Sequence, residues 1–264
     1  MLIALISVDD FNQFKILNIR WGGKMNRGFM WVQTVELPHN APQLYREILE
    51  AVERHYRSLK YLEISFAPAD RGWYVLVKRM IDLAFGLIGL ILLAPLFAII
   101  SVLIRIDSIG PTFYLQERVG ENGEIFKIYK FRTMIADAEK KTGPVWASEN
   151  DPRLTRVGRV IRGLKLDELP QLINLVKGEM SLVGPRPERP PFVSLFARAI
   201  PGYMHRLKVK PGITGLAQIR NGYDRCAEDV IRKLRFDLVY IKKMCLTFDL
   251  KLLGQTLLYL AKPV

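Results

Sequence analysis

The sequence has little of the chemistry that cysteine and histidine supply. Its two cysteines, Cys226 and Cys245, are not spaced as metal ligands, and nothing in the sequence supports a disulfide between them. A reducing compartment is therefore the default expectation. The three histidines, His39, His55 and His205, are scattered along the chain, so a metal-binding or catalytic role is not expected for any of them.

Acidic residues are scarce relative to basic ones. The chain has 39 lysines and arginines against 26 aspartates and glutamates, a formal net charge of +13. Residues 1–77 hold nine basic and eight acidic residues, so residues 78–264 hold thirty and eighteen. The resulting +12 suits a nucleic acid, an anionic membrane surface or a phosphorylated substrate. No recognised nucleic-acid-binding motif is present, so a nucleic-acid partner is not expected.

Residues 1–76 lack a nucleotide-binding loop and any cluster of catalytic residue types. The apolar residues 1–8 are too few for a signal peptide and lack its basic start. Sequence patterns predict strands over residues 2–8, 15–20, 29–37 and 61–66. Pro42 favours a helix start, and apolar residues at helical spacing extend the helix to about Ser58: Leu44, Ile48, Ala51, Val52 and Tyr56. We interpret this part as a small α/β accessory module of unknown role, either regulatory or a packing or oligomerisation appendage, with a linker at residues 68–72.

Charge is absent from the 22 residues Leu83–Ile104. That length is sufficient for a transmembrane helix. Pro95 lies in the middle of the run, where it removes a helix hydrogen bond and clashes with the preceding turn. Each half then has about twelve residues, roughly 18 Å, which is too short to cross about 30 Å of hydrocarbon. We therefore predict a re-entrant membrane helix over about residues 80–106 that breaks at Ala94 and Pro95, with a kinked spanning helix as the alternative.

Basic residues flank this run on both sides, with Lys78 and Arg79 before it and Arg105 after it. The positive charge on both sides favours a cytoplasmic position for both ends. Asp82 and Arg105 would then face each other across the mouth of the hairpin, and we consider an ion pair between them.

Two adjacent carboxylates, Asp167 and Glu168, lie near the start of the most informative stretch of the sequence, residues 164–188. The apolar residues that follow have the spacing of one helix face: Leu169, Leu172, Ile173 and Val176. Gly178 is the predicted C-cap, and the stiff turn 184–187 presents Arg186. In the simplest interpretation Asp167 is only an N-cap and Glu168 a first-turn charge. Basic residues before the pair indicate instead an anionic substrate with a phosphate: Arg153, Arg156, Arg159, Arg162 and Lys165.

From about Lys78 onward the chain resembles the bacterial sugar transferase family, the monotopic polyprenyl-phosphate phosphoglycosyl transferases. The resemblance is carried by the stretches 126–134, 164–188, 208–218 and 248–252. It implies transfer of a sugar-1-phosphate from a UDP-sugar to polyprenyl (undecaprenyl) phosphate with release of UMP, the initiating step of exopolysaccharide, O-antigen, capsule or glycoprotein glycan assembly. It also implies a site on the cytoplasmic face of the bacterial inner membrane, in contact with membrane lipids. Homo-oligomerisation and contacts with other glycan-assembly enzymes stay open.

The resemblance also implies a fold and the residues of a site. Residues 77–264 would form a mainly helical α/β (α+β) catalytic domain with the re-entrant hairpin and amphipathic helices at the membrane interface. Asp167 would be the nucleophile that forms an aspartyl-phosphosugar intermediate, and Glu168 would bind Mg²⁺. Four further residues would bind substrate phosphates: Lys130, Arg162, Arg186 and Asp249.

Two other functions would each explain part of the sequence. A basic nucleic-acid-binding protein would explain the net charge but neither the uncharged run nor the paired carboxylates. A non-catalytic membrane scaffold would not need Asp167, Glu168 and Arg186 together. The sequence does not identify the donor sugar.

Overall fold

The computed structural model describes residues 41–63, 72–136, 138, 151–221 and 226–260. The predicted strands at 2–8, 15–20 and 29–37 and the linker up to residue 71 lie outside these ranges. The described part is mostly helical, as predicted, with two small sheets. Its helices are α1 (Ala41–Glu63), α2 (Gly72–Asp107), α3 (Arg156–Gly163), α4 (Leu172–Lys177), α5 (Pro190–Ala199), α6 (Leu216–Asn221), α7 (Ala227–Lys243) and α8 (Leu246–Leu260). Short 3-10 helices cover Glu121–Gly123, Leu166–Gln171 and Tyr203–Lys208.

The predicted helix at Pro42 is present as α1, and Leu44, Ile48, Ala51 and Val52 of its predicted apolar face are buried. Leu44, Ile48 and Ala51 lie in one core with residues of α5 and α7. The strand prediction at residues 61–66 is wrong for residues 61–63, which continue α1. No glycine or proline interrupts the chain between Pro42 and Pro68, so nothing in the local sequence ends the helix earlier. The described part of the predicted accessory module therefore shares a core with the domain that follows it.

α2 carries the uncharged run. It is a single 36-residue helix with Ala94 and Pro95 inside it, so the predicted break into two half-helices is not observed. A proline costs a helix one hydrogen bond, but contacts on both sides of it can keep the helix continuous. Within the described ranges, α2 is the one helix long and apolar enough to cross a membrane, and most of its surface is exposed.

One face of α2 packs on the domain along most of its length. A Cβ at Gly86 would lie 2.8 Å from Val176 Cγ2, so the glycine allows α2 and α4 to approach closely. Asp82 Oδ1 accepts a hydrogen bond from the Leu182 N–H over 2.9 Å. The ion pair considered between Asp82 and Arg105 does not form, so that prediction is wrong. Arg105 Nε donates a hydrogen bond to Thr112 instead. The two ends of α2 are thus tied to the domain separately.

The two sheets are small and flank the turn that carries the carboxylates. β1 (Phe113–Val119) and β2 (Ile125–Phe131) form an antiparallel hairpin in which Tyr114 lies opposite Lys130. β3 (Ser181–Val183) runs parallel to β4 (Gly212–Thr214), and the turn that bears Arg186 follows β3 directly. The core is built mainly from α5, α7 and the residues around them.

Candidate active site

Asp167 and Glu168 lie in the 3-10 helix Leu166–Gln171, before α4 begins at Leu172. Lys165 and Gln171 occupy the cap positions of the two helical segments, so the simplest interpretation, in which Asp167 is an N-cap, is wrong. The predicted C-cap is confirmed, since Gly178 adopts a left-handed φ of 80° at the end of α4. The carboxylate pair therefore belongs to a tight turn between two helices.

Glu168 is bound by two cations. Lys130 Nζ lies 2.9 Å from Glu168 Oε1, and Arg186 Nη1 donates to Oε2 over 3.2 Å. Arg186 Nη2 also contacts Oε1. Burial favours a higher pKa for Glu168, but the charges of Arg186 and Lys130 outweigh it and hold the pKa well below its ordinary value. Glu168 is therefore ionised at neutral pH and pairs two cations of the site.

Asp167 is the more buried carboxylate, with 9% of its surface exposed. Burial raises its pKa above the ordinary value, and the charge of Glu168 acts in the same direction. The cations Lys130, Arg162 and Arg186 oppose this shift. Every predicted site residue other than Asp249, Ala94 and Pro95 thus lies close enough to Asp167 for its charge to affect the pKa of that carboxyl.

Lys130 reaches the site from the end of β2. Its pKa is lowered because burial disfavours the charged ammonium, an effect that the charge of Glu168 opposes. The position of β2 is fixed by the fully buried Asn174 on α4. Its Oδ1 accepts from the Tyr129 N–H over 3.0 Å, and its Nδ2 donates to the Lys127 carbonyl over 2.8 Å. One amide therefore aligns the strand of Lys130 with the helix that follows Glu168.

Arg162 lies in the last turn of α3, whose start is anchored on three sides. Thr155 is the N-cap and accepts from the Gly158 N–H over 2.9 Å. Asp107, at the end of α2, accepts from the Val157 N–H over 2.9 Å. A Cβ at Gly158 would overlap the backbone of Thr133, so this glycine allows α3 to lie against that residue. These contacts fix the position of α3 and therefore of Arg162, whose charge lowers the pKa of Asp167.

The turn that presents Arg186 is held through its backbone. Every carbonyl from residue 185 to residue 188 accepts a hydrogen bond, from Gly212, Arg206, Arg118 and Val119 in turn, over 2.8 to 2.9 Å. Gly184 and Gly212 pack backbone against backbone, and a Cβ on either would overlap the other strand. The turn is therefore fixed before any substrate binds.

The sequence did not reveal the buried charges behind this turn. Arg206 and Asp237 form an ion pair over 2.8 Å with 2% of each side chain exposed. Glu188 binds Lys233 and lies 3.8 Å from Arg118. Burial favours a higher pKa for Glu188, but Lys233, Arg206 and Arg118 lower it to about 2. The partners are 31 to 70 residues apart, and no local pattern pairs such distant residues.

Asp249 does not join the carboxylate turn. Its Oδ2 accepts from Lys78 Nζ over 2.6 Å and from Tyr74 over 2.7 Å, and its Oδ1 accepts from Tyr240 over 2.8 Å. These contacts anchor α8 to α2. A carboxylate with both oxygens engaged is poorly suited to bind a phosphate, so the geometry favours a structural role for Asp249.

A divalent cation would find two adjacent carboxylates here. Among the described residues, no group of three or more His, Cys, Asp or Glu side chains could hold a metal ion. Mg²⁺ usually binds one or two carboxylates and completes its shell with substrate phosphates and water. Asp167 and Glu168 meet that requirement, although the Glu168 oxygens are engaged by Lys130 and Arg186 in this structure.

Comparison with known proteins places these residues in a shared domain. A family model described as "Bacterial sugar transferase" matches residues 73–263. The "UDP-N-acetylgalactosamine-undecaprenyl-phosphate N-acetylgalactosaminephosphotransferase" of Aeromonas hydrophila is 45% identical over 70% of this chain and 43% of its own length. The "Putative undecaprenyl-phosphate N-acetylgalactosaminyl 1-phosphate transferase" of Bacillus subtilis is 52% identical over 51% of this chain and 74% of its own length. The "UDP-glucose:undecaprenyl-phosphate glucose-1-phosphate transferase" of Escherichia coli is 40% identical over 69% of this chain and 39% of its own length.

The matches cover one part of the longer relatives. The chain spans less than half the length of the Aeromonas and Escherichia proteins. The matched part contains α2 from its second residue onward and the described helices and strands that follow it, whereas α1 precedes the family match.

Proposed function

Because the chain belongs to the bacterial sugar transferase family, we propose that it transfers a sugar-1-phosphate from a UDP-sugar to polyprenyl phosphate and releases UMP. The observation that supports this most is the convergence of Lys130, Arg162 and Arg186 on the pair Asp167 and Glu168. Phosphoryl transfer needs an in-line nucleophile and cations around the transferred group. This turn supplies a carboxylate for the first role and three cations for the second.

In the first displacement, an Asp167 carboxylate oxygen attacks the β-phosphorus of the UDP-sugar. The bond from that phosphorus to the oxygen bridging the two phosphates breaks, and UMP leaves with this oxygen. The product is an acyl phosphate that joins Asp167 to the sugar-1-phosphate. Because only the ionised carboxylate is nucleophilic, the cations that oppose the raised pKa of Asp167 also favour its reactive form.

In the second displacement, a phosphate oxygen of the polyprenyl phosphate attacks the same phosphorus. The acyl phosphate bond breaks, Asp167 is regenerated as a carboxylate, and the lipid carries the sugar through a diphosphate. Lys130, Arg162 and Arg186 stabilise the charge on the phosphoryl oxygens in both steps. Glu168 keeps Lys130 and Arg186 in place between turnovers.

We propose Mg²⁺ as the cofactor, held by Glu168 beside Asp167. When bound, the ion would neutralise charge on the diphosphate of the donor. Lys130 and Arg186 would then contact substrate phosphate oxygens in place of Glu168.

We further propose that α2 enters the membrane without crossing it. Lys78 and Arg79, before Pro95, bind Asp249 and the last carbonyls of α4. After Pro95, Phe97 packs on Phe131 at 5.2 Å between ring centroids, and the end of α2 caps α3. Both halves thus contact one basic domain, which cannot lie in hydrocarbon. The opposite face of α2 is apolar and exposed: Trp73, Leu76, Met80, Phe85, Ile88, Ile91, Leu92, Ile99, Val102, Leu103 and Ile106.

Cysteine labelling tests this arrangement. In a Cys226→Ser, Cys245→Ser background, single cysteines replace the exposed Glu50 on α1 and Lys243 on α7. An impermeant maleimide should label neither in intact spheroplasts and both after permeabilisation. Labelling of one site alone in intact cells would mean that α2 spans the membrane.

For the donor we propose UDP-N-acetylgalactosamine in preference to UDP-glucose. The relatives that are 45% and 52% identical carry N-acetylgalactosamine in their names, whereas the Escherichia relative named for glucose is 40% identical. Competition between the two UDP-sugars for limiting enzyme gives the ratio of their kcat/KM values directly. A ratio that favours UDP-glucose would contradict the assignment.

The transferase function is tested by UMP release. Purified protein, undecaprenyl phosphate and Mg²⁺ are incubated with single UDP-sugars, and UMP and the lipid product are measured together. We expect equal amounts of UMP and lipid-linked sugar with at least one donor, and neither with Asp167→Asn. Absence of UMP with every donor, from folded membrane-bound protein, would contradict the function and favour a scaffold.

A further inference from the structure

Lys165 joins α3 to the 3-10 helix that carries Asp167 and Glu168. Its backbone is left-handed, with φ 57° and ψ 20°, a conformation that a Cβ disfavours. Gly163, two residues earlier, has open space around its Cβ position and does not adopt a positive φ. The chain therefore places a lysine where glycine would be the easier choice, which points to a role for the lysine side chain.

That side chain contacts α8. Lys165 Nζ lies 4.2 Å from the centroid of the Tyr259 ring, well inside the range of about 6 Å for a cation–π contact. Tyr259 is in the last turn of α8 and exposes 40% of its surface. Leu164, beside the lysine, and Leu257 and Leu258, beside the tyrosine, are also exposed. The contact thus lies within an apolar part of the surface.

The ring is held by the rest of α8. Thr256, less than one turn before Tyr259, has its Oγ1 2.7 Å from Thr214 Oγ1 on β4. At the other end of α8, Asp249 binds Lys78 of α2. The position of Tyr259 is therefore set by the core and by the apolar helix, independently of Lys165.

We propose that Tyr259 is a positioning residue for the carboxylate turn. Its ring keeps Lys165 in the left-handed conformation, and this conformation directs the 3-10 helix so that Asp167 and Glu168 meet Lys130 and Arg186. The kinetic consequence rests on the proposed transferase function, whereas the structural consequence does not. Because α8 carries Tyr259 and is anchored to α2, the geometry of the site then also depends on where α8 lies against α2.

The test compares four single variants and one double variant with the wild type in phospholipid nanodiscs. Tyr259→Leu and Lys165→Met each remove the cation–π contact. Tyr259→Phe keeps the ring, and Leu258→Ala removes neighbouring apolar surface but not the contact. We expect the first two to lower kcat about five- to tenfold while KM for the UDP-sugar changes less than about twofold. The last two should match the wild type, and the Lys165→Met, Tyr259→Leu double variant should be no slower than either single one.

Hydrogen–deuterium exchange provides a readout that does not depend on turnover. Amides of residues 166–171 should exchange faster in Tyr259→Leu and Lys165→Met than in the wild type and Tyr259→Phe, with no change in the β1–β2 hairpin. Equal exchange in the wild type and all four single variants would overturn the proposal, as would a Tyr259→Phe variant with a kcat as low as that of Tyr259→Leu. If the wild type turned over no UDP-sugar, the transferase function would fail, and exchange alone would decide the role of Tyr259.

Discussion

Arg206 Nη2 donates a hydrogen bond over 2.8 Å to the backbone carbonyl of Arg186, the arginine that binds Glu168. The same guanidinium is paired with Asp237 and contacts the Tyr203 hydroxyl. A fully buried ion pair thus fixes the backbone of a residue at the site, although neither partner reaches Glu168 itself. Removing one partner of such a pair leaves the other charge buried and uncompensated. The resulting loss of stability is far larger than the stability that the intact pair contributes.

Arg206→Lys should therefore impair both stability and catalysis. A lysine cannot reproduce the planar fork that serves Asp237 and the Arg186 carbonyl together. We expect a loss of unfolding free energy of about 3 kcal/mol and a fall in kcat of at least about tenfold. Thermal unfolding and steady-state kinetics, measured below the unfolding transition, give the two effects. Arg232→Lys, at an exposed position of α7, is the matched control, and a folded Arg206→Lys protein with wild-type kcat would refute the positioning role.

Gly158→Ala should destabilise α3, because the new Cβ would overlap the Thr133 backbone. Backbone cannot move aside as a flexible side chain can, so we expect a loss of at least about 2 kcal/mol. Gly163→Ala, at the end of the same helix, meets no atom within 4 Å and should be neutral or stabilising by up to about 1 kcal/mol. Similar thermal stabilities for the two variants would mean that α3 does not approach Thr133 as described.

Glu188 gives the protein a stability that depends on pH. Its folded pKa of about 2 lies below its ordinary value of 4.5, so its contribution to stability is complete above pH 4.5 and is lost as pH falls from about 4.5 toward 2. Glu188→Gln should cost about 3 kcal/mol at pH 7, because it removes the buried negative charge that faces Lys233 and Arg118. The difference from the wild type should shrink as pH falls through this window. The exposed Glu124→Gln is the control, and a difference that is constant with pH would contradict the assignment.

Lys130 should set the acid limb of the first displacement. Only the ionised form of Asp167 attacks, and the charge of Lys130 lowers the pKa of that carboxyl. Lys130→Met should therefore raise the midpoint of the acid limb, while Lys130→Arg keeps it near the wild-type value. The burst of UMP without acceptor, followed against pH, isolates this step from titration of the lipid phosphate. An unchanged midpoint in Lys130→Met would show that Lys130 does not influence the ionisation of Asp167.

Local sequence patterns predicted the helices of this fold better than the contacts between them. The apolar face of α1, the C-cap at Gly178 and the uncharged run in α2 depend on neighbouring residues, and each was found. The family resemblance named Asp167, Glu168, Lys130, Arg162 and Arg186, which the structure brings to one turn.

The remainder depends on contacts between distant residues. Arg206 and Asp237 are 31 residues apart, and Lys78 and Asp249 are 171 apart, so neither pair has a sequence signature. The break predicted at Pro95 is not observed, because that prediction took only the local sequence into account. A proline in isolation favours a break, but α2 packs on the domain on both sides of it and is continuous.

The central claim is that Asp167 becomes covalently attached to the sugar-1-phosphate, and intact-protein mass spectrometry tests it most directly. Wild-type protein is mixed with its UDP-sugar and Mg²⁺ without polyprenyl phosphate, and mass and UMP are followed together. The account predicts one UMP released per protein and a mass increase of one sugar-phosphate, located on Asp167 and lost when polyprenyl phosphate is added. Asp167→Asn should show neither. Turnover by Asp167→Asn, or rapid product formation from a wild-type protein that never carries the adduct, would contradict the covalent mechanism.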